Sequence, residues 1–339
     1  MPQHIVGLAP SIVDIAARLP ADTWRHCLAL VGAQPGEWQR IDVKVASSLL
    51  AVILGADVND VLRQGDRALS PDLAIRPGST VANALAAMPA RSGLRRTFVS
   101  TVGVHGDVLD PLSGFFRTSI EAVGIEHHVV PVVGDNPMVF VLSSHDQAER
   151  TLAMFPGVAD ELSHVDLDIL SPTLVLVDAY NLGSHAFGRY LDRLIESKRY
   201  PVLMSLGNHT ILTGDRARRV RSYIGTGCLT ALCGNVQEYG ALYPEVGQGD
   251  EHVERLLDQV AVTVPYALVT MGAGGMAATW EGHQTRVSAI PVRRRQIVNT
   301  SGAGDAAAGM FAAGIVSGDA PEETLRRAAV SAMHTLRRL

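Results

Sequence analysis

Lysine is almost missing from this chain: of 29 basic residues only Lys44 and Lys198 are lysines, and neither follows a glycine. That excludes a Walker A loop, whose Gly-Lys-Ser/Thr lysine must reach the transferring phosphates. Cysteine is scarce too, with Cys27, Cys228 and Cys233 alone. Three thiols cannot close into a full set of disulfides, and the Cys228/Cys233 spacing fits no zinc knuckle, so they read as ordinary buried thiols. The first ten residues lack the basic flank and apolar core of a secretory leader, which makes a reducing cytoplasm the expected compartment. An excess of either charge is absent: 29 basic against 34 acidic residues, net −5, leaves no extended nucleic-acid footprint. The longest apolar run, 45–56, contains Ser47 and Ser48 and falls short of the ~20 residues that cross a bilayer, so no membrane partner is expected.

What is present is a chain of 339 residues, 47% apolar and 19% charged, enough for a sizeable core. Short β-rich runs at 4–9, 97–103, 173–178, 202–206, 229–233 and 267–271 alternate with amphipathic stretches at 111–123, 184–196, 215–223 and 252–262. Such alternation predicts an α/β fold, a mostly parallel central sheet with helices on both faces. Between 127 and 154 the texture changes to strand-like runs separated by turns without helices, which predicts a small antiparallel β lid projecting from the body, with further lid strands near 15–45. Two helices, 303–316 and 321–339, close the chain, with Pro321 suited to the first turn of the second. No linker or repeat divides the sequence, so 1–339 reads as a single domain. The arginine-rich stretches 216–221 and 293–295 read as solvated faces, with phosphate contact as the alternative.

The most informative segment is Val298-Asn299-Thr300-Ser301-Gly302-Ala303-Gly304-Asp305. Small residues let the backbone turn sharply, and the helix that follows directs its unpaired N–H groups and positive dipole end into the turn, an anion site. A carboxylate there suits phosphate binding poorly. Asp305 makes sense as a base taking a proton from an attacking hydroxyl, its ionised form favoured by the dipole; the simpler alternative is an acidic residue in an ordinary first turn. Upstream, Gly272-Ala273-Gly274-Gly275-Met276-Ala277 satisfies G-x-G-x-x-A, but no long helix and no ribose-binding acid about 20 residues on accompany it. A tight turn fits better than a dinucleotide site.

Asn299 to Asp305 resembles the D-T-x-G-A-G-D signature of the ribokinase-like (phosphofructokinase B) family of sugar and nucleoside kinases. Other matches follow in order: GLAPSIVD, from Gly7 to Asp14, is similar to the opening strand that ends in a substrate-binding aspartate, and Pro77-Gly78-Ser79-Thr80-Val81-Ala82-Asn83 to P-G-G-S-A-A-N. Glu149-Arg150-Thr151 with Phe155-Pro156-Gly157 resembles E-R-T and Y-P-G, Asn235-Val236-Gln237-Glu238 matches N-x-x-E, and Thr270-Met271-Gly272 with Gly275 matches T-x-G-x-x-G. The resemblance implies ATP-dependent phosphorylation of a primary alcohol, with Asp305 as general base and the Gly302, Ala303 and Gly304 backbone as anion hole. Asn235, Thr270, Gly272 and Gly275 would contact ATP, and Glu238 with Asn235 would place Mg²⁺ through water. Asp14, Gly78 and Asn83 would bind the acceptor, and the lid would close over it.

Departures stand beside the matches. Asn299 replaces the signature's first aspartate, which weakens the case for a monovalent cation, and Ser79 replaces the second glycine of a pair. Pro10 and Met138-Val139 stand where the family often has an asparagine and a threonine-glycine pair. The long segment between Asp14 and Gly78, together with Met204-Ser205-Leu206-Gly207-Asn208, resembles adenosine-kinase-like members and favours a nucleoside over a free sugar or sugar phosphate. Trp24, Phe115, Phe140 and Phe155 are the candidate stacking rings, with core packing as the alternative. A small-molecule substrate, a homodimer, and a non-catalytic sugar- or nucleotide-binding regulator are all compatible with the pattern.

Overall fold

The computed structural model describes residues 3–55, 62, 72–90, 93–146, 150–247, 249–293, 296–297 and 302–337. The chain opens with β1 (Gln3–Leu8) and passes into β2 (Val13–Leu19), then α1 (Ala21–Val31), β3 (Trp38–Arg40) and α2 (Val43–Leu54). Next come β4 (Leu73–Pro77), α3 (Thr80–Ala87), β5 (Leu94–His105), β6 (Val108–Leu109), α4 (Pro111–Ala122), β7 (Glu126–Val133), β8 (Met138–Ser144) and β9 (Arg150–Phe155). Regular alternation follows: β10 (Leu174–Asp178), α5 (Ala186–Glu196), β11 (Val202–Ser205), α6 (Gly214–Gly225), β12 (Ala231–Asn235), α7 (Val236–Leu242), α8 (Val253–Ala261) and β13 (Tyr266–Thr270). A hairpin, β14 (Met276–Trp280) and β15 (His283–Val287), leads to α9 (Ala303–Ser317) and α10 (Pro321–Leu336).

Among the described residues the larger sheet runs β15-β14-β13-β12-β11-β10-β1-β5-β6, with β7 also paired to β5. From β13 through β5 to β7 the pairings are parallel. Central strands are covered on both faces, which is why β10 reads Leu-Val-Leu-Val with every residue buried. One core, on the side of α3, α9 and α10, gathers Leu85, Phe311 and Leu325; the other, on the side of α5 to α8, gathers Phe187, Leu191, Val220 and Leu257. Helix α9 is buried continuously from Ala306 to Gly314, as its nearly all-apolar composition requires. Gly309 lets it press onto α3, where a Cβ would lie 2.7 Å from the Ala84 carbonyl carbon.

The smaller sheet runs β3-β9-β8-β2-β4, with β2–β4 and β8–β9 antiparallel and β2–β8 and β3–β9 parallel. One face, with Ile15, Ala17, Phe140 and Leu142, packs under Trp24 and Leu28 of α1 and Leu49 of α2. Each large apolar side chain enclosed this way contributes about 1.5–3 kcal/mol. The other face carries Asp14.

Two sequence expectations change here. Residues 126–133, read as part of the lid, form a parallel edge strand of the larger sheet, with Thr97 opposite Glu126 and Val104 opposite Val133. An edge strand buries one face and so alternates polar and apolar residues much as an antiparallel strand does, and α4 is its crossover. Asp14 does not end the opening strand: β1 stops at Leu8, and Asp14 lies on β2 of the smaller sheet. The hairpin β14–β15 had no counterpart in the sequence reading; Gly275, at φ 92°, begins it, and a Cβ there would lie 2.7 Å from the Ala289 nitrogen. A hairpin after Gly272-Ala273-Gly274 leaves no helix for a dinucleotide fingerprint. No described helix is long and apolar enough to cross a membrane.

Candidate active site

Asp178 and Ser205 close β10 and β11 side by side, Ser205 lies beside Cys233 of β12, and Asn235 at the end of β12 lies beside Thr270 at the end of β13. Open parallel sheets place ligand sites at this edge. A cavity of about 230 Å³ lies there, bounded by Ser205, Asn235, Glu238, Thr270, Gly302, Gly304 and Asp305.

Asp305 sits in the first turn of α9, which starts at Gly302 with φ 83° and has no side-chain cap. The N–H groups of that turn therefore remain available to a ligand. The Asp305 carboxylate accepts a 3.1 Å hydrogen bond from Nδ2 of Asn83 on α3. Although part of Asp305 opens to the cleft, protein surrounds the carboxyl, and burial, seconded by the charge of Asp14, raises its pKa to about 6 while the Asn83 bond opposes. Desolvation thus works against the helix end, which favours the ionised form.

Asp14 reaches the same region from the smaller sheet. Its carboxyl lies against Gly78, where a Cβ would stand 2.8 Å from Asp14 Cγ, so only glycine admits it. Burial raises its pKa to about 6, with Arg76 opposing. Ser79 follows with φ 76°, a left-handed backbone that glycine adopts without strain, and caps α3 through a long 3.5 Å bond from Ala82 N–H.

Asn235 and Glu238 form a capping box at the start of α7. The Asn235 Oδ1 accepts from the Glu238 N–H at 2.9 Å, and the Glu238 carboxylate accepts from both the Asn235 N–H and its Nδ2, each at 2.8 Å. Burial raises the Glu238 pKa to about 7, and the charge of Asp305 adds to the rise. Thr270 borders the cavity, whereas Gly272 (φ 56°) and Gly275 shape the adjoining turn without lining it. Asp14, Gly78 and Asn83 also lie outside the cavity wall, joined to it by the Asn83–Asp305 bond. Asn299 and Glu149 lie outside the described residues.

Asp178, the last residue of β10, is a site carboxyl that the sequence reading places only at the end of a strand. It is buried, accepts 2.8 and 3.2 Å bonds from the side chain and backbone of Asn181, and has its pKa raised to about 7 by burial, with Asp305 contributing. The signal was there: a lone acid closing an otherwise apolar strand at the sheet's ligand-binding edge. Four carboxyls, Asp14, Asp178, Glu238 and Asp305, therefore converge with raised pKa values, an arrangement that favours cations and proton transfer.

Comparison with known proteins sets this site in context. Residues 77–339 match the pfkB family of carbohydrate kinases. The chain belongs to that family. Kinases of that family are ATP-using phosphotransferases with an alcohol acceptor. Its fold is similar to that of a probable sugar kinase from Rhizobium etli CFN 42 (TM-score 0.78, 20% identity, covering 100% of this chain and 94% of that one). It is also similar to an adenosine kinase from Sinorhizobium meliloti (TM-score 0.77, 20% identity, 100% and 95% covered) and a ribokinase from Thermotoga maritima (TM-score 0.66, 19% identity, 99% and 94% covered). Among curated proteins, the bifunctional protein HldE of Pseudomonas fluorescens (strain SBW25) is 24% identical over 226 residues, 59% of this chain and 46% of that protein. The match thus spans about half the length of that relative.

Proposed function

We propose that this pfkB-family kinase transfers the γ-phosphoryl group of ATP to a primary hydroxyl of a nucleoside. The observation that carries the reading is the convergence of Asp14, Gly78 and Asn83 on Asp305 through the Asn83–Asp305 hydrogen bond. A carboxylate and an amide hold ring hydroxyls in fixed orientation, and Asp305 accepts the proton of the attacking hydroxyl as the O–P bond forms. The open N–H groups of Gly302, Ala303 and Gly304 receive the charge that develops on the phosphoryl oxygens. Asn235 and Thr270 hold the nucleotide, with Gly272 and Gly275 letting the backbone approach it.

Glu238 and Asn235 fit a hard divalent cation: a carboxylate and an amide carbonyl supply oxygen donors, and the crowded carboxyls gain from a positive charge. Mg²⁺ bound there through water supplies neutralisation of phosphate charge.

A nucleoside is preferred because α1 and α2 add a helical cover to the smaller sheet. The second reading, a free sugar or sugar phosphate, is favoured by one observation: Trp24, Phe140 and Phe155 are buried in the core and Phe115 packs against it, so none of the four stands ready to stack on a base. ADP release from ATP and Mg²⁺ across a panel of nucleosides and sugars decides between them, with Asp305→Asn as control. Turnover on nucleosides is expected; turnover on sugars alone overturns the acceptor, and silence across the panel favours a binding protein.

A further inference from the structure

The described chain passes between the two sheets four times: residues 9–12 lead from β1 to β2, 78–79 from β4 to α3, 134–137 from β7 to β8, and 156–158 from β9 back to the body. Backbone hydrogen bonds stitch these passages to one another. The Val13 N–H donates to the Pro137 carbonyl at 3.1 Å, the Gly78 N–H to the Ile12 carbonyl at 2.8 Å, and the Val158 N–H to the Asp135 carbonyl at 3.1 Å.

At the centre of this junction stands Asn136, fully buried. Its Nδ2 donates to the Ser11 carbonyl at 2.6 Å and to the Pro137 carbonyl at 3.1 Å. Its Oδ1 lies 2.8 Å from the hydroxyls of both Ser11 and Ser113, which are fully buried as well. All four bonding positions of the amide are thereby engaged. The two serines tie it to the body: Ser11 Oγ also reaches the Thr101 carbonyl of β5 at 2.7 Å, and Ser113 Oγ, on α4, reaches the Gly103 carbonyl of β5 at 3.1 Å. Each hydroxyl has one proton for two acceptors, so β5 and Asn136 share it. The backbone is shaped to fit, since a Cβ at Gly103 would lie 2.7 Å from the Asn136 nitrogen and one at Gly157 2.9 Å from its carbonyl carbon. A buried polar network with every member satisfied specifies one arrangement of the segments it joins.

Ser11 shares its passage with Ile12, which accepts from Gly78, and the passage runs into β2, where the Asp14 carboxyl lies against Gly78. We propose that Asn136 is a positioning residue for the acceptor: it touches no substrate and acts by fixing how β2 leaves the body, which sets where Asp14 stands relative to Asp305. The inference rests on the reading of Asp14 as the acceptor's ligand and Asp305 as the base, and it holds for a nucleoside and a sugar alike. Alanine in place of Asn136 removes its bonds unevenly. The serine hydroxyls can turn fully to the β5 carbonyls, whereas the Ser11 carbonyl loses its side-chain donor in a dry interior. The loss therefore falls on the passages into the smaller sheet, while the ladder from β10 to β13 keeps its bonds.

Steady-state kinetics and amide hydrogen exchange of the full-length Asn136→Ala protein test it, with Ser113→Ala as a milder variant that removes one bond from the same amide. The expected result is a rise of about tenfold or more in the KM for whichever acceptor the wild type turns over, with the KM for ATP within about twofold. Exchange should quicken in β2 and β8 and stay at the wild-type rate in β10 to β13. A merely structural role lowers the folded fraction, and so kcat alone, and quickens exchange in both sheets; either pattern overturns the proposal. If Asn136→Ala does not fold, Ser113→Ala decides by the same two readouts, with a smaller shift in the same direction expected and wild-type values in both overturning the proposal. Exchange needs no substrate, so the two failures separate: a wild type silent on every acceptor overturns the functional reading, and uniform exchange overturns the role of Asn136.

Discussion

Replacing Asp305 by asparagine isolates its basicity from its shape. The amide keeps an oxygen to accept the 3.1 Å bond from Asn83, so α3 and α9 stay joined, and the contact of Asp14 with Gly78, the proposed acceptor site, is untouched. On the proposed function, what is lost is the group that takes the hydroxyl proton. A positioned general base contributes about 10²- to 10⁴-fold, which at ~1.4 kcal/mol per decade is about 3–6 kcal/mol of transition-state stabilisation. The expected result is a fall in kcat of that size with the KM for both substrates little altered. The choice of pH matters. With its pKa raised to about 6, Asp305 is roughly nine-tenths ionised at pH 7, but Asp178 and Glu238 take protons near 7 and feel its charge, so the acid limb of the wild-type profile belongs to the cluster. Coupled ADP-release kinetics at pH 8, where all three are ionised, give the clean comparison. A variant within about threefold of wild type there would remove Asp305 from the role of base.

Asp14→Ala should raise the KM for the acceptor roughly 10- to 100-fold, the equivalent of ~1.5–3 kcal/mol for a lost charged hydrogen bond, and leave the KM for ATP in place. Selective loss of ATP affinity in steady-state kinetics would mean that the two subsites have been exchanged. Ser79→Gly should stabilise the protein by about 0.5–1 kcal/mol in urea unfolding, because relief of the left-handed φ of 76° exceeds the loss of its long capping bond; a destabilised variant would refute the strain. Four carboxyls with raised pKa values bind more protons folded than unfolded, so they favour folding at low pH, and that contribution is lost as pH rises through about 6–7. His4 and His127, with lowered pKa values, pull the other way but are fewer. Thermal unfolding of the ligand-free protein should therefore show a Tm that declines from pH 5 to pH 8, less steeply in Asp178→Asn; a flat or rising wild-type Tm contradicts the burial argument.

The parallel body was legible because strands covered on both faces have no alternative to continuous apolar runs, as in Leu174-Val175-Leu176-Val177. The smaller sheet was harder. Asp14 is separated by only a few residues from β1, and Pro10 sits in the break, so nothing in Gly7-Leu8-Ala9-Pro10-Ser11-Ile12-Val13-Asp14 marks the passage from one sheet to the other. Glu126 to Val133 misled for the opposite reason, since half-exposure imposes the same alternation on a parallel edge as on an antiparallel one. In the site, the small-residue turn before Asp305 was legible from the residues themselves, whereas Asn235 and Glu238 came from the resemblance to N-x-x-E, and their capping box became visible only in the structure. Proton affinities were not legible, because they depend on how four carboxyls from β2, β10, α7 and α9 meet. Asp178 escaped notice since its importance comes from neighbours distant in sequence.

Asp14 and Asp305 belong to different sheets' worth of structure, one carried by the strand that α1 and α2 cover and the other by a helix locked into the body at Gly309 and Ala84. On the proposed function, any displacement of the smaller sheet carries Asp14 away from the acceptor while Asp305 and the open helix end stay fixed. A phosphoryl donor seated alone would then face an incomplete site, and water would find the base without the partner that aligns a nucleophile. On that reading, the division of the machinery between a strand of the smaller sheet and a helix of the body is a safeguard against idle hydrolysis.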